Sequence, residues 1–409
     1  MGSSVLRNVR PWGDDPTDIA CVDGKVTSIG EALTIDDATV IDGQGMIALP
    51  SFADVHVHLD STRWGLPFRP HSAGPSLMEH ILADRAGWRD DAPIGKKASA
   101  MLGRMISRGT TKVRTYAQID ADAGLERLDG VLEAKDKYAG LCDVTIMGFP
   151  QSGIMTNPPT ARLLDQALTL NAIDVVGGLD PCLIDRDPKG HLDVVFGLAE
   201  KYGKPVDLHL HETGTVGAFS WDLVFERVRS LGMQGMCTIS HAMALESNDE
   251  RTVDSLIEQL VELDVSIATV TPRGGGRQIP FMRLVEAGVR VGLGQDGMRD
   301  YWSPYGDGDL WNRLFQFCWT QNLKTEDELR RAAYAATLGG RQVIDSSAAR
   351  PEPLSGTPGI EVGGEADFVL VEGETLSSAV IDHLPARKVV RAGRLIVDTD
   401  RDDRGAFEG

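Results

Sequence analysis

The sequence predicts an α/β fold: a (β/α)8 TIM barrel carrying a small β-sheet domain built from both chain ends. Eight short apolar runs rich in strand-forming residues recur between about residues 50 and 345, and longer helical patterns separate them. Both flanks read instead as short strands with Gly/Asp turns. Eight parallel strands joined by crossovers is the number that closes a barrel.

The first run, IALPSFADVHVH, ends near His58, TKVRTYA near Tyr116 and DVTIMGFP near Pro150. IDVVGGLD ends at Asp180, PVDLHLH at His211 and GMCTISHA at Ala242. DVSIATVTP closes at Pro272 and VRVGLGQD at Asp296. One helical stretch runs from SLMEHILADRAGWRD through MLGRMISRG and is closed by Gly109 after Arg108. Another, LDVVFGLAEKYG, is closed by Gly203. The flanks 4–50 and 356–400 are each too small to bury a core, so they are expected to combine into one sheet; two separate edge extensions are the alternative. The expected organisation is a barrel over 51–349, with 1–50 and 350–409 as the two parts of the small domain.

Composition narrows the function classes. A chain of 409 residues, 42% hydrophobic and 25% charged, can bury a large core. Its 41 Lys and Arg against 60 Asp and Glu give a net charge of −19. That sign repels phosphate backbones, argues against nucleic acid and favours neutral or cationic ligands, although it also simply keeps a protein soluble. The cysteines (Cys21, Cys142, Cys182, Cys237, Cys318) show no CxxC spacing, which argues against a disulfide framework or a structural zinc site. No basic patch followed by an apolar stretch opens the sequence, and no apolar run reaches the roughly 18 residues that span a bilayer. The expectation is a cytoplasmic enzyme with a small-molecule substrate and no membrane partner.

Barrel active sites form at the carboxyl ends of the strands. Of nine histidines, five (His56, His58, His209, His211, His241) end predicted strands one, five and six, and Asp296 ends strand eight. His56 and His58 are two apart on a strand, so both side chains point inward. Neutral imidazoles there suit a divalent transition metal. An isolated HxH is more often a polar strand end than a metal site; His209 and Asp296 add the third nitrogen and the carboxylate that favour the metal reading.

The segments ADVHVHLDST, GFPQSGI, VDLHLHE, TISHAM and GQDGMRDYWSPYGDGD resemble the amidohydrolase superfamily, specifically its cytosine deaminase branch. VVGGLDP, LHLHETGTVGAFS and RDYWSPYGDGD are more similar still to the isopropylammelide amidohydrolases, a triazine-ring group. The similarity runs over nearly the whole chain with the motifs in the same order. It implies that His56, His58, His209 and Asp296 bind a single Zn2+ or Fe2+ per chain. Members with two metals carry a modified lysine ending strand four, and GGLDP offers none. The resemblance also implies association into a homo-oligomer.

The chemistry implied is attack on a ring carbon by hydroxide, since a bound divalent metal lowers the pKa of water to about 7. Asp296 would take the proton. Glu212, three residues after His209, would shuttle protons to the ring nitrogen and the leaving amine; on its own it reads as an ordinary loop carboxylate. His241 would hydrogen-bond the attacking hydroxide or the developing oxyanion. Gln151, Asp180, His211 and Trp302 are expected to face the substrate. Gln151, Asp180 and Trp302 suit a capping amide, a helix-capping carboxylate and a core aromatic equally well.

Two departures bear on the substrate. Gly297 stands where cytosine deaminases carry a second aspartate, which makes cytosine doubtful. The lysine found soon after HxH in the triazine group is also absent, His58 being followed by Leu59, Asp60 and Ser61. The expected function is hydrolytic release of ammonia or a small amine from a pyrimidine, triazine or similar heterocycle. A cyclic-amide hydrolase that opens the ring is the alternative. A non-catalytic barrel is a third reading, which the presence of both Glu212 and Asp296 disfavours.

Overall fold

The computed structural model describes residues 2–270 and 277–399. Five strands come first: β1 (Ser3–Pro11), β2 (Thr17–Val22), β3 (Lys25–Gly30), β4 (Thr39–Asp42) and β5 (Ile47–Pro50). Eight more follow: β6 (Phe52–Val57), β7 (Thr110–Gln118), β8 (Asp143–Phe149), β9 (Val175–Leu179), β10 (Val206–His209), β11 (Cys237–Ser240), β12 (Ser266–Val270) and β13 (Val291–Gly294). The last three are β14 (Phe368–Val371), β15 (Arg387–Arg391) and β16 (Arg394–Asp398).

Strands β6 to β13 pair in chain order, every pair parallel. The Asp296 amide donates to the His56 carbonyl at 2.8 Å, and Val57 bridges Asp296, so the end of β13 meets β6 and the barrel closes at His56 and Asp296. Each of the eight apolar runs overlaps one of these strands. The seventh is described as far as Val270; Thr271 and Pro272 lie outside the described residues.

The first run divides between two sheets. IALP becomes β5, antiparallel to β14 and parallel to β1, while ADVHV enters the barrel. Pro50 has no N–H to extend the β5 ladder, and the Ser51 amide still donates to the Asp367 carbonyl beside β14 of the same sheet before the chain enters the barrel. Both chain ends join in one sheet of order β16-β15-β14-β5-β1-β2-β3, with β4 beside β1. This sheet and the barrel share a core in which Phe52 stacks on Trp311 with centroids 5.5 Å apart.

The first long helical stretch is two helices, Leu77–Gly87 and Ile94–Ser107, separated by a short 3-10 turn. Pro93 causes the interruption by starting the second helix where a helix interior would not tolerate it. Ser76 and Glu79 form a reciprocal capping box on the first. The left-handed Gly203 closes the helix Pro188–Tyr202. Among the described residues no helix is long and apolar enough to cross a membrane.

Candidate active site

Period-two alternation aims His56 and His58 into the barrel from β6, and His209 meets them from β10. His58 Nε2 lies 3.5 Å from His209 Nε2. Asp296 Oδ1 lies 3.5 Å from His56 Nε2 and 3.4 Å from His58 Nε2. Four ligands set tetrahedrally around an ion with bonds near 2.1 Å stand about 3.4 Å apart, so these spacings fit a zinc-like ion. His56 Nε2 is buried with no hydrogen-bond partner, which is the state a metal-facing nitrogen would have. His241 brings a further ring nitrogen within 4.8 Å of His56 and Asp296.

Behind the histidines runs a buried polar relay. His56 Nδ1 is 3.1 Å from the Ser240 hydroxyl, which donates to Asp207 Oδ1 at 2.7 Å. Because the Ser240 proton goes to Asp207, the Ser240 oxygen accepts from His56 Nδ1–H and Nε2 keeps its lone pair for the metal side. Arg114 and Tyr116 donate to the other Asp207 oxygen at 3.0 and 2.9 Å. Asp54, also on β6, accepts the amides of His56 and Gln295, and burial pushes its carboxyl up to about 7.

Electrostatics agrees with neutral ligands around one carboxylate. Burial pushes His58 down to about 4 and holds His209 well below the ordinary histidine value. Burial alone would raise Asp296; its close contact with His56 and the surrounding rings reverse this and hold it well below the usual carboxylate range. Its side chain is 40% exposed, opening onto a cavity of about 930 Å³. Asp296, His241 and Asp180 all have positive φ, at 64°, 65° and 34°. Such conformations cost about 1–3 kcal/mol each and gather where side chains must be re-aimed at a site.

The cavity wall includes Gln151, His211, His241 and Trp302. Gln151 Nε2 donates to Asp84 Oδ2 at 3.0 Å and to Gln118 Oε1 at 3.1 Å. Its two donors are therefore spent inside, and the amide oxygen remains to accept from a bound ring. His211 packs on His241 with centroids 4.1 Å apart. Trp302 stacks on His80 at 5.3 Å, presenting an aromatic surface at the cavity rim.

Two expected residues stand elsewhere. Asp180 is fully buried and does not line the cavity: Oδ1 accepts the His211 amide and Oδ2 faces His211 Nδ1, each at 2.6 Å. Both of its oxygens therefore face His211. Glu212 is also withdrawn. Its Oε1 accepts the amides of Cys182 and Leu183 at 2.7 and 2.8 Å, and its other oxygen accepts from the Ser220 hydroxyl. The free amides of the turn after β9 have captured this carboxylate, and burial raises its pKa. Glu212, expected to shuttle protons, is thus not among the residues that line the cavity, whereas His211 from the same segment is.

Sequence reasoning passed over Asp207, Ser240, Arg114, Tyr116, Ser61 and Asp300. A signal existed for three of them. Asp207 lies two before His209, and Arg114 and Tyr116 alternate along one strand, so polar residues at inward positions marked the relay, whereas Ser240, next to His241, had no such mark. Asp300 had no such periodicity.

A divalent-metal hydrolase barrel, with its site at the carboxyl ends of the strands, is what the fold and site define, and the chain belongs to the amidohydrolase family, which it matches over residues 95–397. It acts on carbon–nitrogen bonds and is deaminase-like. In structure it is similar to N-isopropylammelide isopropylaminohydrolase from Burkholderia multivorans, with a TM-score of 0.90 and 35% identity over 97% of this chain and 99% of that one. In sequence it is 28% identical over 404 residues to N-isopropylammelide isopropyl amidohydrolase from Pseudomonas sp. strain ADP, covering 96% of each chain. The 5-methylcytosine deaminase of Klebsiella pneumoniae, liganded with 5-fluorocytosine, shares the fold at a TM-score of 0.81 and 24% identity, over 96% of this chain and 97% of that one.

Proposed function

We propose that this chain hydrolytically removes an amino or small alkylamino group from a nitrogen heterocycle, using one Zn2+ or Fe2+ held by His56, His58, His209 and Asp296. The observation that carries the reading is the approach of His58 to His209 at 3.5 Å and of Asp296 to His56 and His58 at 3.5 and 3.4 Å, with His58, His209 and Asp296 lining one cavity. The relatives named for acting on ammelide-type and cytosine-type rings support a heterocyclic amine as substrate. The wall supports a ring rich in N–H donors, because Asp296 and the Gln151 oxygen both accept. A triazine or an isocytosine-like pyrimidine meets that requirement better than cytosine.

A divalent ion bound here would supply a strong nucleophile at neutral pH by lowering the pKa of water to about 7. Asp296 takes the proton released as the ring carbon is attacked. His241 donates to the oxygen on which negative charge develops. His211, its Nδ1 held by Asp180, passes protons from Nε2 to the ring nitrogen and then to the leaving amine. Water and the amino-ring become the ring carbonyl and free ammonia or amine, with no net proton change inside the site. The fully buried Asp180 carboxylate stabilises the transient imidazolium.

The test is product analysis on a panel of aminated triazines, pyrimidines and pterins with metal-replete protein. The expected result is ammonia or amine with an intact ring. A ring-opened acid would establish the cyclic-amide reaction instead, and no turnover of any ring would reject the assignment.

A further inference from the structure

Gly297 directly follows Asp296, and its missing side chain is not replaced by empty space. A Cβ built there would stand 2.2 Å from Asp300 Oδ2 and 2.9 Å from its Cγ. The Asp300 carboxylate thus reaches back from the following loop into the volume beside Asp296 that a residue-297 side chain would fill. Any residue but glycine at 297 would expel it.

The carboxylate is held in a fixed pose. Its Oδ1 accepts the amides of Trp302 and Ser303, each at 2.8 Å, and its Oδ2 accepts the Ser61 hydroxyl at 2.9 Å. The Asp300 amide donates to the Ser303 carbonyl at 2.9 Å, which closes the turn. All three donors to the carboxylate are neutral. A carboxylate offers about four acceptor positions, and three are filled. The fourth belongs to Oδ2, the oxygen beside Gly297. Asp300 and Ser61 both line the cavity, and Asp300 is only 9% exposed. A nearly desolvated acceptor of this kind is costly unless a donor completes it.

We infer that Asp300, positioned by Ser61 and admitted by Gly297, is a specificity-determining residue that accepts a hydrogen bond from a ring N–H of the substrate. The inference rests on the proposed heterocycle hydrolysis and adds the residue that selects among rings. Its chemical consequence is a requirement for an N–H donor on the substrate edge facing the Asp296 side of the cavity.

The experiment compares the best substrate of the panel with its singly N-methylated ring analogues, on the metal-replete wild type and on Asp300→Asn. In the wild type, methylation at one ring nitrogen should lower kcat/KM by about 10–100-fold, the usual worth of a charged hydrogen bond. Asp300→Asn should lower kcat/KM for the parent by a similar factor, mainly through KM, and bring parent and that analogue to within about threefold. Metal content should stay at the wild-type level. Gly297→Ala leaves Asp300 in the sequence but pushes its carboxylate aside, so it should erase the same discrimination. A merely structural Asp300 would lower parent and analogue alike, and discrimination preserved in both variants would overturn the inference while leaving the hydrolase reading intact. A wild type that turns over no ring would overturn both.

Discussion

The residues on the strand ends and those on the loops beyond them meet in one cavity, but different forces hold them. His56, His58, His209 and Asp296 owe their placement to strand alternation and to the barrel closure at His56 and Asp296. Behind them the Ser240–Asp207–Arg114 relay is fully buried, which fixes ring orientation as firmly as the sheet fixes spacing. The loop-borne group is settled by competition among hydrogen-bond partners. Asp180, Glu212 and Asp300 are three acids near one cavity, and each has been captured differently. Asp180 serves His211, Glu212 closes the turn at Cys182 and Leu183, and Asp300, which lines the cavity, is held by Ser61, Trp302 and Ser303. Strand position therefore announces a ligand, whereas a loop carboxylate declares its role only through its partners.

The comparison breaks most visibly at His211. His211→Asn should keep the metal and lower kcat by about 10²–10⁴, the usual contribution of a general acid–base. Asp180→Asn acts through that ring and should cost about one to two decades in kcat/KM, again with the metal retained. Metal analysis beside steady-state kinetics checks both. Loss of metal from either variant would mean that the loop group is part of the ligand set and that the division drawn above is wrong.

A smaller effect is expected at Glu212. Glu212→Gln should change kcat less than tenfold, because the carboxylate is held by two amides and a hydroxyl and does not line the cavity. The loss should appear in stability, at about 1–3 kcal/mol for weakened buried hydrogen bonds. Denaturant unfolding beside kinetics reads this. A drop in kcat as large as that of His211→Asn would restore Glu212 to the proton path.

The sequence was most informative where one physical rule acted alone. Eight apolar runs located eight strands, and inward-facing histidines at their ends pointed to the cluster of His56, His58 and His209. IALPSFADVHVH was harder, since a single apolar run does not reveal that Pro50 and Ser51 carry the chain from one sheet to another. Glu212 looked catalytic because it follows His209 closely, yet the amides that capture it lie 30 and 29 residues earlier in the chain. Asp207 and Arg114 are 93 residues apart and meet only in the closed barrel. Asp300 fills the space beside Gly297 because its own loop folds back, which no spacing rule encodes.

The measurement that bears most directly on the whole account is a metal titration of the chelated protein. Zn2+ or Fe2+ is added in known equivalents while ammonia or amine release from the best ring is followed. Activity should rise linearly and level off at one equivalent per chain, and His56→Ala should gain little at that point. A plateau at two equivalents, or full activity in the metal-free chain, would contradict the single site formed by His56, His58, His209 and Asp296.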